Sequence, residues 1–467
     1  MSSIHKVLLF LMISFLCFIG CTKDIISPDT IPLFIPKEDN LLKNYVCIEQ
    51  VRDFANKKWP QTKSNGEVDY TVMPYGKIDD TPLLYIVNYG NRQGWQILSS
   101  DARTPAVIAE GDNGYFSLED GSPAVQVWLN CTATDILAVR KASDDELAFT
   151  PEEIEANKKV WNNDVIKGFG DDGDGGYWAV TIVDSEEIVE DLVEHMTPQW
   201  DQHPPYNAYC PIKTNNDTER ADVGCVAVAA SQVLYYLHNK WGIPENMYSY
   251  AYCQGVVHNY YRYFNGLNNT VWSQMDTTCH YYGAPADAES ILMAYVGQEV
   301  EMVYGNSYSY TIPSKIRTHL FNQYNITASH GDYNASYVQA NLENRLPVIV
   351  VASDQLIPLN GYIHTFVIDG FKKIHYRYTE YHYWVPMDPN QPKGPPAPQP
   401  YYTYSDSNSF ISGIKINWGW RTQWAPDQPV NDGWFSLTAG WTVFDYKKGY
   451  YDYNYNIQMI YNLDYDE

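Results

Sequence analysis

The chain has 467 residues, with 31 Lys+Arg against 56 Asp+Glu and a formal charge of -25. At roughly 100 to 200 residues per domain it is too long for one ordinary core, so two or more domains are expected. A hydrophobic fraction of 45% with 15% aromatics excludes disorder of the whole chain, and acidity without any Lys/Arg run argues against a nucleic-acid partner or an anionic membrane surface.

Lys6 supplies a positive start, and residues 7–19 form an apolar run broken only by Ser14, ending in Phe18-Ile19-Gly20-Cys21. A bilayer span needs about 20 residues; this run has the length of a signal-peptide core. The last four residues resemble a bacterial lipobox, with Phe18 where Leu is usual. Residues 1–21 are therefore expected to be a lipoprotein signal peptide with Cys21 lipidated, and simple secretion is the alternative. No later segment approaches the apolar length of a span, so contact with a membrane is expected only through that lipid. Export permits disulfides, but Cys47, Cys131, Cys210, Cys225, Cys253 and Cys279 show no CxxC and no dense framework.

From Leu41 to Lys57, apolar residues at steps of three and four predict an amphipathic helix. Leu83 to Val87, Trp95 to Leu98 and Ala106 to Ala109 predict a small antiparallel sheet, with residues 89–94 as a turn. Together these make a first domain over residues 22–167. Residues 168–176 hold five glycines and three aspartates, a composition that cannot pack a core and that proteases can enter, so a linker and cleavage zone is expected there. Residues 177–467 have the size of one large domain. Within it, residues 385–400 carry seven prolines and predict a surface insertion.

Asp222 to Leu237 reads as a buried helix, with Asp222 able to cap it, Gly224 leaving room for close approach, and Gly242 and Pro244 ending it. Cys225 then lies in the first turn, where unpaired N–H groups and the positive dipole end lower a thiol pKa. Ile363 to Gly370 predicts a short apolar strand with His364 at its mouth. Ile414 to Trp420 predicts another, and Gly433 to Leu437 its partner. Gln202 to Asn207 predicts a rigid loop bearing an amide donor.

The order Gln202, then Gly224-Cys225-Val226-Ala227, then His364-Thr365-Phe366-Val367-Ile368-Asp369-Gly370, then Asn417-Trp418-Gly419-Trp420 and Asp432-Gly433-Trp434-Phe435 resembles the streptopain family of bacterial papain-like cysteine peptidases, which are made as inactive precursors. Pro205-Tyr206-Asn207, Trp272 to Met275, and Val296-Gly297 with Met302 to Gly305 are similar to further family motifs. Tyr85 to Asn88 and Ser99 to Arg103 are similar to its inhibitory prodomain. The resemblance implies an α+β fold: a helix plus antiparallel-sheet prodomain, then a papain-like catalytic domain. It implies a protein or peptide substrate, the chain's own prodomain as inhibitor, and neither cofactor nor metal. Cys225 would be the nucleophile, His364 the general acid/base and Gln202 an oxyanion donor. Asn417 and Trp418 are consecutive in a strand and face opposite ways, so one of them is expected to support His364, Trp418 first. Two departures, Ile363 for an expected Gly and a longer loop at Thr422 to Val430, bear on specificity. The competing readings are an inactive binding lipoprotein and a papain-like transglutaminase, which would use an Asp as third member.

Overall fold

The computed structural model describes residues 42–58, 70–78, 80–118, 123–147, 149–161, 176–216, 218–243, 250–255, 260–263, 272–276, 287–353, 363–386, 399–419, 433–437 and 457–466. The signal segment, most of the Gly/Asp-rich and Pro-rich stretches, Trp420 and the Thr422 to Val430 loop lie outside these residues.

The N-terminal part contains α1 (Ile48–Lys58), β1 (Tyr70–Ile78), β2 (Thr81–Tyr89), β3 (Trp95–Ser99), β4 (Val107–Gly111), α2 (Pro123–Lys141) and α3 (Pro151–Trp161). The strands form an antiparallel meander. Its alternation follows the two-residue strand period: Tyr85, Val87 and Tyr89 pack with Val51, Phe54 and Ala55 of α1, while Leu84 and Ile86 pack with Trp128, Leu129 and Ala133 of α2. The helix expected from Leu41 begins only at Ile48. Tyr45 instead bridges Asp101, and the Val46 N–H donates to the Ser100 carbonyl at 2.9 Å. Tyr45, part of the expected helical pattern, is thus taken by a β-bridge, while Ile48, Val51, Phe54 and Ala55 of the same pattern lie in the helix.

After β5 (Gly176–Val193) come α4 (Cys225–Trp241), β6 (Tyr250–Gly255), β7 (Tyr260–Tyr263), α5 (Asp287–Glu299), β8 (Val303–Tyr304), β9 (Ser309–Tyr310), β10 (Ile326–Asp332), α6 (Ala335–Glu343), β11 (Val348–Ser353), β12 (Ile363–Pro386), β13 (Tyr401–Asp406), β14 (Phe410–Asn417), β15 (Trp434–Phe435) and β16 (Gln458–Tyr465). The papain-like division into a helical wall and a sheet wall is built from these. Val367, Ile349 and Ile460 face the cluster formed by α4 and α5, whereas Val348, Val350, Phe366 and Ile368 face the cluster that contains α2.

Among the described residues the strand order is β1-β2-β3-β4-β15-β14-β12-β11-β16-β10, with β5 and β13 flanking the distal half of β12. The pairing expected between Ile414 to Trp420 and Gly433 to Leu437 is present, Ile414 lying opposite Phe435 and Lys415 opposite Trp434. The other edge of β15 pairs with β4, Trp434 opposite Glu110 and Phe435 opposite Ala109. One sheet therefore runs through both halves of the chain.

Candidate active site

Cys225 is the first residue of α4, and its position comes from Gly224, which occupies the N-cap with φ 88° and offers no side-chain cap. This corrects the expectation that Asp222 caps the helix. An L side chain is strained at that φ, and a Cβ there would lie 2.3 Å from Met302 Cε and 3.0 Å from the Ser309 carbonyl oxygen. Glycine therefore lets the helix start press against β8 and β9. Gly242 ends the helix in the left-handed conformation, its N–H donating to the His238 carbonyl at 2.8 Å.

Across from the helix, β12 presents His364, buried and opposite Ala352 of β11. His364 Nε2 lies 2.8 Å from the carbonyl oxygen of Trp418. A carbonyl only accepts, so Nε2 carries the proton and Nδ1 is the nitrogen left for Cys225. Burial pushes the half-buried Cys225 thiol pKa up. The charge of the neighbouring His364 imidazole, with the main chain and hydroxyl of Thr365 close by, outweighs burial, and the thiol titrates below its ordinary range. That favours a thiolate, the reactive form of cysteine.

Trp418 reaches His364 through its main chain, while its ring packs against Phe366 at 4.9 Å and edge-on against Phe435 at 5.5 Å. Phe366 in turn lies nearly parallel to the imidazole, 6.4 Å away. The Asn417 amide is spent elsewhere. Its Nδ2 donates to Thr197 Oγ1 at 3.0 Å and to the Pro198 carbonyl at 2.8 Å. Its Oδ1 accepts from Gln232 Nε2 and the Gly419 N–H, both at 3.2 Å. Asn417 thus ties α4 and residues 197–198 to the end of β14 and makes no direct contact with His364 among its hydrogen bonds.

Gln202 is buried, and its carbonyl accepts the Val223 N–H at 2.9 Å, which sets the loop beside the residues leading into Cys225. The Ala221 N–H to the Pro211 carbonyl, 2.7 Å, and Asn207 Nδ2 to the Ala221 carbonyl, 3.2 Å, extend the same seam. Trp272 stacks on His238 at 4.2 Å, and the Tyr235 hydroxyl donates to the Met275 carbonyl at 3.3 Å. Gly297 faces the Tyr304 hydroxyl closely. The contacts of Trp272 and Met275 brace α4.

Three residues of this neighbourhood escaped the sequence reading. Thr365 lies beside His364 in the same motif, with its hydroxyl buried and without a nitrogen or oxygen partner. Asp201 and His203 flank Gln202, and a carboxylate and an imidazole on either side of the expected oxyanion donor were the available signal.

Residues 200–425 match the family model for the peptidase C10 family, and residues 46–136 match that for the Spi protease inhibitor. The chain belongs to the streptopain family. Its prodomain and cysteine-peptidase motifs occupy the same order as the two matches. The streptopain-family chain is also similar to the thiol protease/hemagglutinin PrtT of Porphyromonas gingivalis, at 22% identity over 303 residues, covering 62% of this chain and 31% of that protein. Among solved structures it is similar to a prointerpain A fragment of Prevotella intermedia (TM-score 0.48, 17% identity, 85% of this chain and 100% of that one). Active interpain A of the same organism is also similar (TM-score 0.36, 20% identity, 58% of this chain and 98% of that one).

Proposed function

We propose that this protein is a cysteine endopeptidase made as a zymogen, in which Cys225 attacks a peptide carbonyl and His364 protonates the leaving amine. Water then hydrolyses the acyl-enzyme. The observation that carries this reading is the imidazole held at Nε2 by the Trp418 carbonyl, which commits its other nitrogen to the thiol at the start of α4. Gln202 and the Cys225 N–H serve as oxyanion donors, Trp418 fixes the imidazole, and Asn417 fixes Trp418. A transglutaminase would hold the imidazole with a carboxylate; here a main-chain carbonyl does so.

Residues 22–167 act as the inhibitory prodomain and 177–467 as the catalytic domain, with cleavage in 168–176. Export and lipidation at Cys21 rest on the signal-like N-terminus. Alkylation of the wild type and of Cys225→Ala with iodoacetamide, followed by hydrolysis of a denatured protein substrate, tests the assignment. Both Cys225→Ala and His364→Ala are expected to lose all measurable hydrolysis while keeping the wild-type melting temperature, since residues acting as a unit fail together. Hydrolysis by Cys225→Ala above roughly a tenth of wild type would sink the reading.

A further inference from the structure

We propose that His203 is a positioning residue for peptide hydrolysis: as an imidazolium it clamps the Gln202 loop to the segment that leads into Cys225. The inference rests on the peptidase reading above. Asp201, almost wholly buried, directs Oδ1 at three donors. These are the Gln202 N–H at 2.5 Å, the His203 N–H at 3.3 Å and His203 Nδ1 at 2.9 Å. One carboxylate oxygen therefore shapes the turn on which Gln202 sits. On its far side His203 Nε2 lies 4.0 Å from Asp222 Oδ2, an ion-pair distance. Asp222 is three residues before Cys225, and its carbonyl accepts the Ser309 hydroxyl at 2.6 Å. Together with the bond from Val223 N–H to the Gln202 carbonyl, the imidazole closes a ring of contacts joining the oxyanion loop to the helix start.

An ionised carboxylate can only accept, so the ring donates from Nδ1 to Asp201; a second proton on Nε2 supplies the positive charge that Asp222, its own pKa raised by burial, attracts across 4.0 Å. The other charges facing this cluster are Lys213, which opposes protonation of His203, and Glu219, which pairs with Lys213 at 3.2 Å. Burial by itself lowers the His203 pKa, but the hydrogen bond and charge of Asp201 and the charge of Asp222 raise it above the ordinary histidine range. The clamp is then complete below the ordinary histidine range and is lost as pH rises through that raised pKa. Loss leaves Asp201 and Asp222 as two unscreened carboxylates, and a displaced oxyanion donor costs rate without altering the thiolate.

The test compares wild type, His203→Gln, Asp222→Asn, Gln202→Ala and the His203→Gln/Gln202→Ala double variant, each as the full chain after maturation. Peptide kcat and KM and the rate of iodoacetamide alkylation are measured from pH 5 to 9. His203→Gln is expected to lower kcat about tenfold at acidic pH with KM and alkylation nearly unchanged. Asp222→Asn, which breaks only the far contact, should show the same pattern more weakly. The wild-type kcat should fall toward the His203→Gln value as the imidazolium deprotonates, and the double variant should be no slower than Gln202→Ala. The proposal is overturned if His203→Gln keeps wild-type kcat, if it slows alkylation as much as hydrolysis, or if its effect multiplies with that of Gln202→Ala. Where His203→Gln fails to fold, the Asp222→Asn profile decides in the same way. A wild type that alkylates at Cys225 yet hydrolyses no peptide overturns the peptidase reading, and this proposal with it. Normal hydrolysis by wild type with no His203→Gln effect overturns this proposal alone.

Discussion

At the scale of single residues, the site is a contest between burial and hydrogen bonding at one sulfur. Burial alone would raise the Cys225 pKa, and the thiol titrates low because His364 and Thr365 stabilise the thiolate. Thr365→Val should remove the hydroxyl and move the midpoint of the pH-dependent alkylation rate upward, while Thr365→Ser should restore it. An unmoved midpoint in the Val variant would assign the low pKa to His364 alone. Gln202→Ala should lower kcat by about a hundredfold to a thousandfold, because one oxyanion donor is removed. Alkylation, which forms no oxyanion, should proceed at nearly the wild-type rate. Equal losses in the two reactions would make the loop structural. Cys225, His364 and Gln202 could be singled out in the sequence because the proposed chemistry rests on their side chains. The partner of His364 was only half legible. The Trp418 contribution to Nε2 is a main-chain carbonyl, which any residue possesses, so side-chain identity could not report it.

At the scale of elements, strands were easier to read than their neighbours. β2 and β3 announce themselves as apolar runs because helices cover both faces of the sheet. α2 was not read as a helix: polar Thr132, Asp135 and Arg140 interrupt the buried face formed by Val125, Trp128, Leu129, Ala133 and Ile136, and Leu137 and Ala138 carry burial beyond it, so the apolar stripe is blurred. That burial has a measurable consequence at Asp135. Desolvation pushes its carboxyl pKa up to about 8 from the ordinary 3.8. The folded state then holds a proton that the unfolded chain releases above its own pKa. Stability is therefore lost as pH rises from about 4 toward 8, at about 1.4 kcal/mol per pH unit. Asp135→Asn should accordingly raise the melting temperature at pH 7.5 and leave it nearly unchanged at pH 4. An equal gain at both pH values would show that the carboxyl is ionised in the folded protein. β15 was legible as a strand, but its second edge was not. Backbone pairing between β15 and β4 involves two residues and leaves no mark in side-chain pattern.

At the scale of the whole molecule, that short pairing joins the prodomain to the catalytic sheet. Phe435, fully buried, sits edge-on to Trp128 at 5.0 Å, lies 6.3 Å from Trp95, and meets Trp418 on its other side. Gly433 allows the approach, since a Cβ there would lie 2.5 Å from the Glu110 carbonyl oxygen and 2.6 Å from Trp95. A prodomain fixed this way has a high effective concentration while the chain is intact and competes as a dilute partner after cleavage. Cutting within 168–176 would then free the catalytic domain from both its inhibitor and any lipid at Cys21, so that activation and release become one event. Retention of the cut prodomain by β4–β15 pairing, or cleavage instead within Asp184 to Glu190, are the alternatives. Two measurements separate them. Expression in a lipid-processing bacterium and N-terminal sequencing of the active species should give a start within or just after 168–176 and activity in the soluble fraction. Gly433→Ala should loosen the junction from the prodomain side, so that the precursor activates sooner while the mature domain keeps its turnover. An active full-length form that begins at Cys21 and stays on the membrane would refute release. Unchanged activation in Gly433→Ala would show that the prodomain is held by other contacts than this edge.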